Sequence, residues 1–349
     1  MNSPFKNLML IRIKEFFREP EVLFWTFAFP VLLAWLLGIT FSGDESAPGR
    51  VAWIENKTDY AGKLEPGDCL NSDLEREFII MRVEAAEAFL LLKRGLVNVL
   101  IESDLQAREL VFRFDPRNRE ARLDHLRMER SLLDRKITNP PFRVEHLNLQ
   151  GTRYIDFLIP GLLALGIMNS ALWGIGWQLI ESRMRRFMRI MAATPMDKKT
   201  FFFTLFLARL LLTLLELLFI YAFAYFFFDL AIQGGLFALG LVLVAGNSAF
   251  MGLAILIASR TQNTQVGNGL INSVTLPLML LSGIFFSYQR FPEWAAAMVK
   301  YLPLTLLTDS LRAVFNEGAG IPAVLVPSLL LFLFGITTFF LGLKVFRWH

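Results

Sequence analysis

Six separate runs of roughly 20 mostly apolar residues constrain this chain more than anything else in it. They fall at 22–41, 155–180, 201–228, 235–258, 266–286 and 321–343. At 1.5 Å per helical residue, each matches the hydrocarbon thickness of a bilayer. The composition agrees: 54% of residues are hydrophobic, where an ordinary soluble domain carries roughly 45–50%. The expected fold class is an α-helical polytopic membrane protein. It has six transmembrane helices, an N-terminal interfacial helix and a small α/β extracytoplasmic domain between helices one and two. The first run is too long for the apolar core of a signal peptide, so it is read as a retained span. An even number of spans places both termini on one side.

Lysine and arginine in the short loops give the orientation. Lys6, Arg12, Lys14 and Arg18 precede the first run, and Arg183, Arg185, Arg186, Arg189, Lys198 and Lys199 follow the second. Arg260 follows the fourth, and Lys344 and Arg347 follow the sixth. The opposite side has no cation in 229–234 and only Arg290, Lys300 and Arg312 before the last run. Both termini are therefore expected in the cytoplasm. The net charge of +4 does not point to nucleic acid. Segment 42–150 holds 17 Lys+Arg and 20 Asp+Glu, leaving 18 basic and 11 acidic residues for the membrane part. The basic excess belongs to the loops that set topology.

Ahead of the first run, Phe5, Leu8, Met9, Ile13, Phe16 and Phe17 can share one side of a helix. Asn7, Arg12, Lys14, Glu15, Arg18 and Glu19 take the other. Such a helix lies in the inner interface, apolar side in the acyl boundary and cations among lipid head groups, until Pro20 ends it. A plain basic flank is the simpler alternative. The domains are then 1–41 (interfacial helix and first span), 42–153 (extracytoplasmic) and 154–349 (spans two to six, with a cytoplasmic loop at 181–199). Within 42–153 the strand candidates are 51–55, 78–83, 97–102 and 110–114, with helices at 61–76, 85–93 and 117–135. That alternation predicts a small α/β layer, closed off by Pro140, Pro141 and Gly151. Cys69 is the single cysteine, so no intrachain disulfide supports it.

Catalytic and cofactor signatures are missing. The sequence has no Gly-x-x-x-x-Gly-Lys-Ser/Thr loop to cradle nucleotide phosphates and no Gly-x-Ser-x-Gly elbow. His125, His146 and His349 lack metal-ligand spacing and are expected at the surface. No cofactor is expected in this chain. Polar groups inside the spans are the candidates instead. Arg209 and Glu216 stand seven residues apart on one face of span three, about 10 Å along the axis. An intramembrane charge is a functional candidate by default, with a structural pair or snorkelling as the alternative. Asn247, Asn268 and Asn272 fit either a substrate pathway or interhelical hydrogen bonds. Pro277 is expected to weaken the fifth helix. Gly283, Phe285 and Phe286 fit an outer gate or an interfacial aromatic belt.

The segment from Glu181 to Lys199 carries the most specific signal. Met184, Phe187, Met188 and Met191 recur at helical spacing, with Arg185, Arg186 and Arg189 pointing elsewhere. Such a ridge can meet a partner or face lipid. The segment resembles the coupling loop of ABC type 2 exporter permeases, which start Glu-rich and end in Ala-Thr-Pro, matched by Glu181 and by Ala193-Thr194-Pro195. Tyr154 through Pro160-Gly161 resembles the family's entry into its second span. The stretch from Leu281-Ser-Gly283 through Phe291-Pro292-Glu293-Trp294, Leu302-Pro303-Leu304-Thr305 and Leu311-Arg312 resembles its external reentrant segment, here 287–320. The family often has Gly-Thr where this chain has Arg186-Phe187.

The resemblance implies a permease of the bacterial inner membrane, paired with a second copy or a paralogue. Each permease would dock a cytoplasmic ABC ATPase subunit that binds ATP and Mg, through Glu181, Arg185, Arg186, Phe187, Met191, Thr194 and Pro195. The insert resembles that of the drug-exporter branch. The Phe-rich spans favour a hydrophobic or amphipathic substrate (drug, lipid or metabolite), although contact with lipid calls for the same residues, and the sequence leaves open whether the α/β domain meets a periplasmic adaptor. Two other classes compete. A membrane-embedded enzyme needs a polar constellation that the sequence does not supply. A sensor or assembly protein acting through the α/β domain leaves the coupling-like loop unexplained.

Overall fold

A computed structural model describes residues 4–18, 23–40, 49–54, 78–104, 109–133, 142–146, 151, 153–184, 198–259, 261 and 263–345. The expected helix at 61–76, Cys69, the Pro140-Pro141 exit, segment 185–197 and His349 lie outside them. The chain divides into two compact units, one formed by 1–34 with 158–349 and the other by Trp35–Phe157.

The second unit is the α/β domain. Its strands are β1 (Gly49–Ile54), β2 (Phe78–Val83), β3 (Val99–Asp104), β4 (Glu109–Phe114) and β5 (Phe142–His146). They lie in the order β2-β1-β3-β4-β5. The pairs β1/β2, β1/β3 and β4/β5 are parallel and β3/β4 is antiparallel, with Val51 opposite both Ile80 and Val99 and Ile101 opposite Phe112. Val51, Ala52, Trp53 and Ile54 of β1 are all buried, as a central strand covered on both faces requires. On one face Val51, Trp53, Val99, Ile101, Leu110 and Phe112 pack against Ala121 and Met128 of a helix at Arg119–Leu133. On the other, Ala52, Ile54 and Leu100 meet Ala88 and Leu92 of a helix at Ala85–Lys93. β5 was not among the expected strands. His125, expected at the surface, is buried and stacks on Phe114 at 4.7 Å with its edge toward Phe112. The two rings of β4 draw it inward.

In chain order the helices of the membrane unit begin with α1 (Pro4–Arg18). A π-helical turn at Phe24–Ala28 then leads into α2 (Phe29–Thr40). Next comes one continuous helix built of α3 (Tyr154–Asn169), a second π segment (Ser170–Gly176) and α4 (Trp177–Met184). It is followed by α5 (Lys198–Phe228), α6 (Leu236–Ala258) and α7 (Thr264–Leu281). Two short helices, α8 (Glu293–Val299) and α9 (Pro303–Asn316), precede α10 (Ile321–Val345). Among the described residues four helices are long and apolar enough to cross a membrane: Tyr154–Met184, Thr200–Phe228, Leu236–Ala258 and Ile321–Val345. The other two expected spans are shorter as helices. The apolar part of the first is Thr26–Leu37. The fifth, α7, is diluted by Gln265, Asn268, Asn272 and Ser273, and it runs through Pro277 to Leu281 without ending there.

α6 and α10 approach backbone to backbone where Gly252 and Gly335 lie at their crossing. A Cβ on Gly252 would run into the Gly335 carbonyl oxygen, and one on Gly335 would lie 2.5 Å from the Ser248 carbonyl oxygen. Small residues let helix backbones approach where lipid gives no hydrophobic drive to association.

Candidate functional site

Halfway along the membrane unit, three helices are joined by polar side chains. Arg209 and Glu216 project from α5 two turns apart, and the Arg209 Nη2 donates to Glu216 Oε1 at 2.7 Å. Ser170, the first residue of the π segment, donates its hydroxyl to the same oxygen at 3.3 Å. Only 5% of Arg209 and 4% of Glu216 is exposed. Gly166, one turn before Ser170, faces the other carboxylate oxygen, and a Cβ there would make an ordinary contact with Glu216 Oε2 at 3.8 Å. Arg209 Nε is buried with no hydrogen-bond partner among the described residues. One turn further along α5, Thr213 donates to Asn247 Oδ1 of α6 at 3.0 Å, and Asn247 donates on to the Leu243 carbonyl at 2.9 Å. The network ties α5 to the π segment on one side and to α6 on the other. Two buried charges are costly unless paired and hydrogen-bonded, and this geometry provides both.

A second polar junction lies at the end of α4, just before segment 185–197. Arg183 Nη1 donates to the carbonyls of Ala258 at 2.7 Å and Thr261 at 3.0 Å. These belong to the last turn of α6 and the residues beyond it, where helical carbonyls lack intrahelical donors. α7 starts alongside, capped by Asn263, whose Oδ1 accepts from the Gln265 N–H at 2.8 Å. Gly267 opens the space for Ile180: a Cβ there would sit 2.8 Å from Ile180 Cδ1. The ends of α4 and α6 and the start of α7 therefore meet around Arg183. Glu181 is half-buried on the same turn. The other coupling candidates, Arg185, Arg186, Phe187, Met191, Thr194 and Pro195, lie outside the described residues.

The third junction is the turn after α7. Gly283 takes φ +69°, the left-handed region that favours glycine, and a Cβ would come within 2.8 Å of the Tyr288 ring. Arg312 on α9 donates to the Gly283 carbonyl at 2.8 Å and the Ile284 carbonyl at 3.3 Å. Asp309, one turn earlier, accepts from the Tyr288 hydroxyl at 2.8 Å and lies 3.6 Å from Arg312. Span two meets the same turn at Gly161, where a Cβ would lie 3.2 Å from the Ile284 carbonyl oxygen and 3.4 Å from Arg312 Nη2. Gly161, Gly283 and Arg312, far apart in sequence, thus share one contact. Phe285 is half-buried beside them and Phe286 exposed.

Asn268 and Asn272 do not join the Arg209–Glu216 network. They hydrogen-bond to each other at 2.6 Å on the exposed face of α7, with Gly269 and Ser273 beside them. The sequence offered no sign of Ser170, Thr213 or Tyr288 as partners, because each acquires its role only through the helix it meets. Arg183 was legible as a loop cation, not as a cap.

Comparison with known proteins bears on this architecture. Residues 130–316, more than half of the chain, match the family described as ABC-2 type transporter. The chain belongs to that family. All three junctions contain residues of the matched region, three of the four long apolar helices lie within it, and the family and these helices together support a multi-pass membrane protein. Among curated proteins, this ABC-2 chain is 25% identical over 190 residues to "Probable multidrug ABC transporter permease YbhS" of Escherichia coli strain K12. That alignment covers 54% of this chain and 49% of the relative. It is 23% identical over 170 residues to "ABC transporter G family member 20" of Dictyostelium discoideum, covering 49% of this chain and 23% of the relative. The ABC-2 chain thus spans about half the length of the first protein and under a quarter of the second.

Proposed function

We propose that this chain is the permease subunit of an ATP-driven exporter that moves a hydrophobic or amphipathic substrate out of the bacterial cytoplasm. The observation that carries the reading is the junction at Arg183. The helix leading into segment 185–197 is bonded to the end of α6 and packed on the start of α7. A push on that segment reaches three helices at once, which is what a separate ATPase closing on ATP and Mg needs in order to shift the spans between inward and outward states. Glu181, Arg185, Arg186, Phe187, Met191, Thr194 and Pro195 form the docking surface.

In this reading the chain has six spans, α2 and α7 completing the four long ones, with 42–153 outside the cytoplasm and both termini inside. A second copy or a paralogue faces α7, so that Asn268 and Asn272 line the route between the two. The Arg209–Glu216 network keeps α5 registered against the π segment as they move, and the Gly283 turn, with Phe285 and Phe286, closes the outer end. The basic loops support the orientation. The family and the name of the E. coli relative support the transport class.

The test is affinity purification of the tagged, detergent-solubilised chain from its native host, with ATPase activity and stoichiometry of copurifying proteins as readout. A nucleotide-binding subunit should copurify and be lost in Phe187→Asp and in charge reversal at Arg185 and Arg186, while the variants remain membrane-inserted. A chain that brings down no ATPase in several mild detergents overturns the reading.

A further inference from the structure

The π segment of span two is packed on one side and open on the other. Ala171, Leu172, Ile175 and Gly176 are buried, and Gly176 lies against α6, where a Cβ would meet Ala254 at 3.5 Å. Trp173, Gly174 and Trp177, the last being the first residue of α4, take the opposite side. Gly174 is exposed and both tryptophans are half-buried. Their indole rings stand 6.0 Å apart, inclined at 41°. A Cβ on Gly174 would meet no atom of the described residues within 4 Å. One turn earlier the same side is closed by α5, where Ser170 bonds to Glu216. Both donors on Glu216, Ser170 and Arg209, reach Oε1. Among the described residues none reaches Oε2, which faces the bare Cα of Gly166.

We propose that the notch at Gly174, walled by Trp173 and Trp177, binds cargo that carries a flat aromatic ring system and an amine, the ring beside the indoles and the amine at Glu216 Oε2. Two observations select that chemistry. A bare glycine between two indoles leaves a gap with aromatic walls, which a flat ring fills by stacking. The carboxylate stands one turn along the helix, about 5 Å away along the axis, with an oxygen free to accept from an N–H. The other unpartnered atom of that network, Arg209 Nε, is buried and offers a ligand nothing, so charge on the cargo is read by the carboxylate. Tryptophan is also the aromatic side chain that cations favour most, and π segments inside α-helices are frequent at functional sites. A neutral ring would satisfy the indoles alone. The inference rests on the permease reading and names its cargo class, but the binding itself needs no ATPase.

The experiment uses the purified full chain in detergent, titrated with 9-aminoacridine, a flat amine protonated at neutral pH, and with acridone, its neutral three-ring counterpart. Fluorescence anisotropy reports binding, with empty micelles subtracted. The native chain should hold the amine about 10-fold more tightly than acridone, as a hydrogen bond to a charged group implies. Trp173→Leu and Trp177→Leu should each weaken 9-aminoacridine about 5-fold, the worth of one aromatic pair, while Trp173→Phe and Trp177→Phe, which keep a ring, should retain it. Gly174→Leu, which enters open space, should abolish binding. No binding by a native chain that brings down an ATPase overturns the site and leaves the permease reading standing; binding that follows these variants in a chain without an ATPase supports the site and overturns that reading. Equal affinity for the two probes overturns the amine assignment. A Gly174→Leu chain that binds 9-aminoacridine as before but loses its dimer in native mass spectrometry gives the notch to a second copy and overturns the proposal.

Discussion

Glu216→Gln leaves the Arg209 guanidinium in the middle of the membrane unit without its counter-charge, and Arg209 already has one nitrogen unpartnered. The two side chains are 6% and 5% exposed, so water does not take over the lost interaction. Removing one member of a buried pair costs about 3–5 kcal/mol, because the survivor keeps its desolvation penalty. Arg209→Met should cost a similar amount through the orphaned carboxylate. The double variant Arg209→Met/Glu216→Leu leaves no buried charge, and replacing both members by apolar residues of similar size is neutral or stabilising by about 1–4 kcal/mol. The coupling in a double-mutant cycle should therefore exceed either single loss in magnitude. Ser170→Ala removes only a 3.3 Å hydrogen bond to the same carboxylate and should cost about 0.5–1.5 kcal/mol. Equilibrium denaturation in mixed micelles measures all four. If the two single losses are each below about 1 kcal/mol and simply add, the pair is not the buried, mutually dependent unit that its distances describe.

Three further outcomes follow from contacts elsewhere. Gly335→Ala must push α10 away from the Ser248 carbonyl, 2.5 Å from the new Cβ, and should cost about 1–3 kcal/mol as overpacking; a melting temperature equal to that of the parent would refute the backbone-to-backbone crossing. Arg183→Ala strips the two donors from the Ala258 and Thr261 carbonyls and should cost roughly 1.5–3 kcal/mol. Amide exchange should quicken selectively at the end of α6 and the start of α7, and unchanged protection there would show that Arg183 is no cap. In the α/β domain, burial holds the Asp124 carboxyl above its ordinary value of 3.8, opposed by the Asn98 hydrogen bond, the Arg50 N–H and the Arg127 charge. The folded domain then keeps a proton that the unfolded chain has released, so its stability falls as pH rises from that ordinary value through the folded one and is level above it. Asp124→Asn, which still accepts from Asn98 and Arg50, should flatten that slope. The measurement is the pH dependence of β1 and β3 amide protection in the whole protein, corrected for intrinsic exchange. Identical slopes in the two proteins would contradict the assignment.

Features that depend on local period were visible in the sequence, and those that depend on which helix stands opposite were not. The strands expected at 78–83 and 110–114 form at Phe78–Val83 and Glu109–Phe114, because alternation encodes a sheet face directly. β5 carries the same alternation in Phe142, Val144 and His146, but it is five residues long and directly follows two prolines. The seven-residue spacing of Arg209 and Glu216 was enough to place them on one face. Nothing in it could indicate Ser170, 46 positions from Glu216. His125 shows the same limit, since a lone histidine in a charged helix has no signal for the two rings of β4 that bury it.

The polar contacts of the membrane unit also divide by the group each arginine bonds, in a way that bears on motion. Toward the end of α4 and at the Gly283 turn, arginines bond to backbone carbonyls of neighbouring elements, contacts that several rotamers of a long side chain can preserve while a helix end shifts. At mid-helix the Arg209–Glu216 pair sits beside the π segment, where the backbone has wider turns and fewer helical constraints. Under the proposed coupling, a push delivered through α4 would meet bonds to backbone carbonyls at the helix ends and a buried ion pair beside the π segment. If the π segment is where span two yields, Ser170→Ala should change how far motion travels along that helix, while Arg183→Ala should change whether it enters at all. Distances from a spin label on α4, and separately from one on α3, to a reference label on α10, measured with and without a bound nucleotide-bearing partner, separate the two. Loss of motion in both labels should mark the Arg183 variant, and loss of the difference between them the Ser170 variant. The same response in both variants would mean that span two moves as one rigid rod.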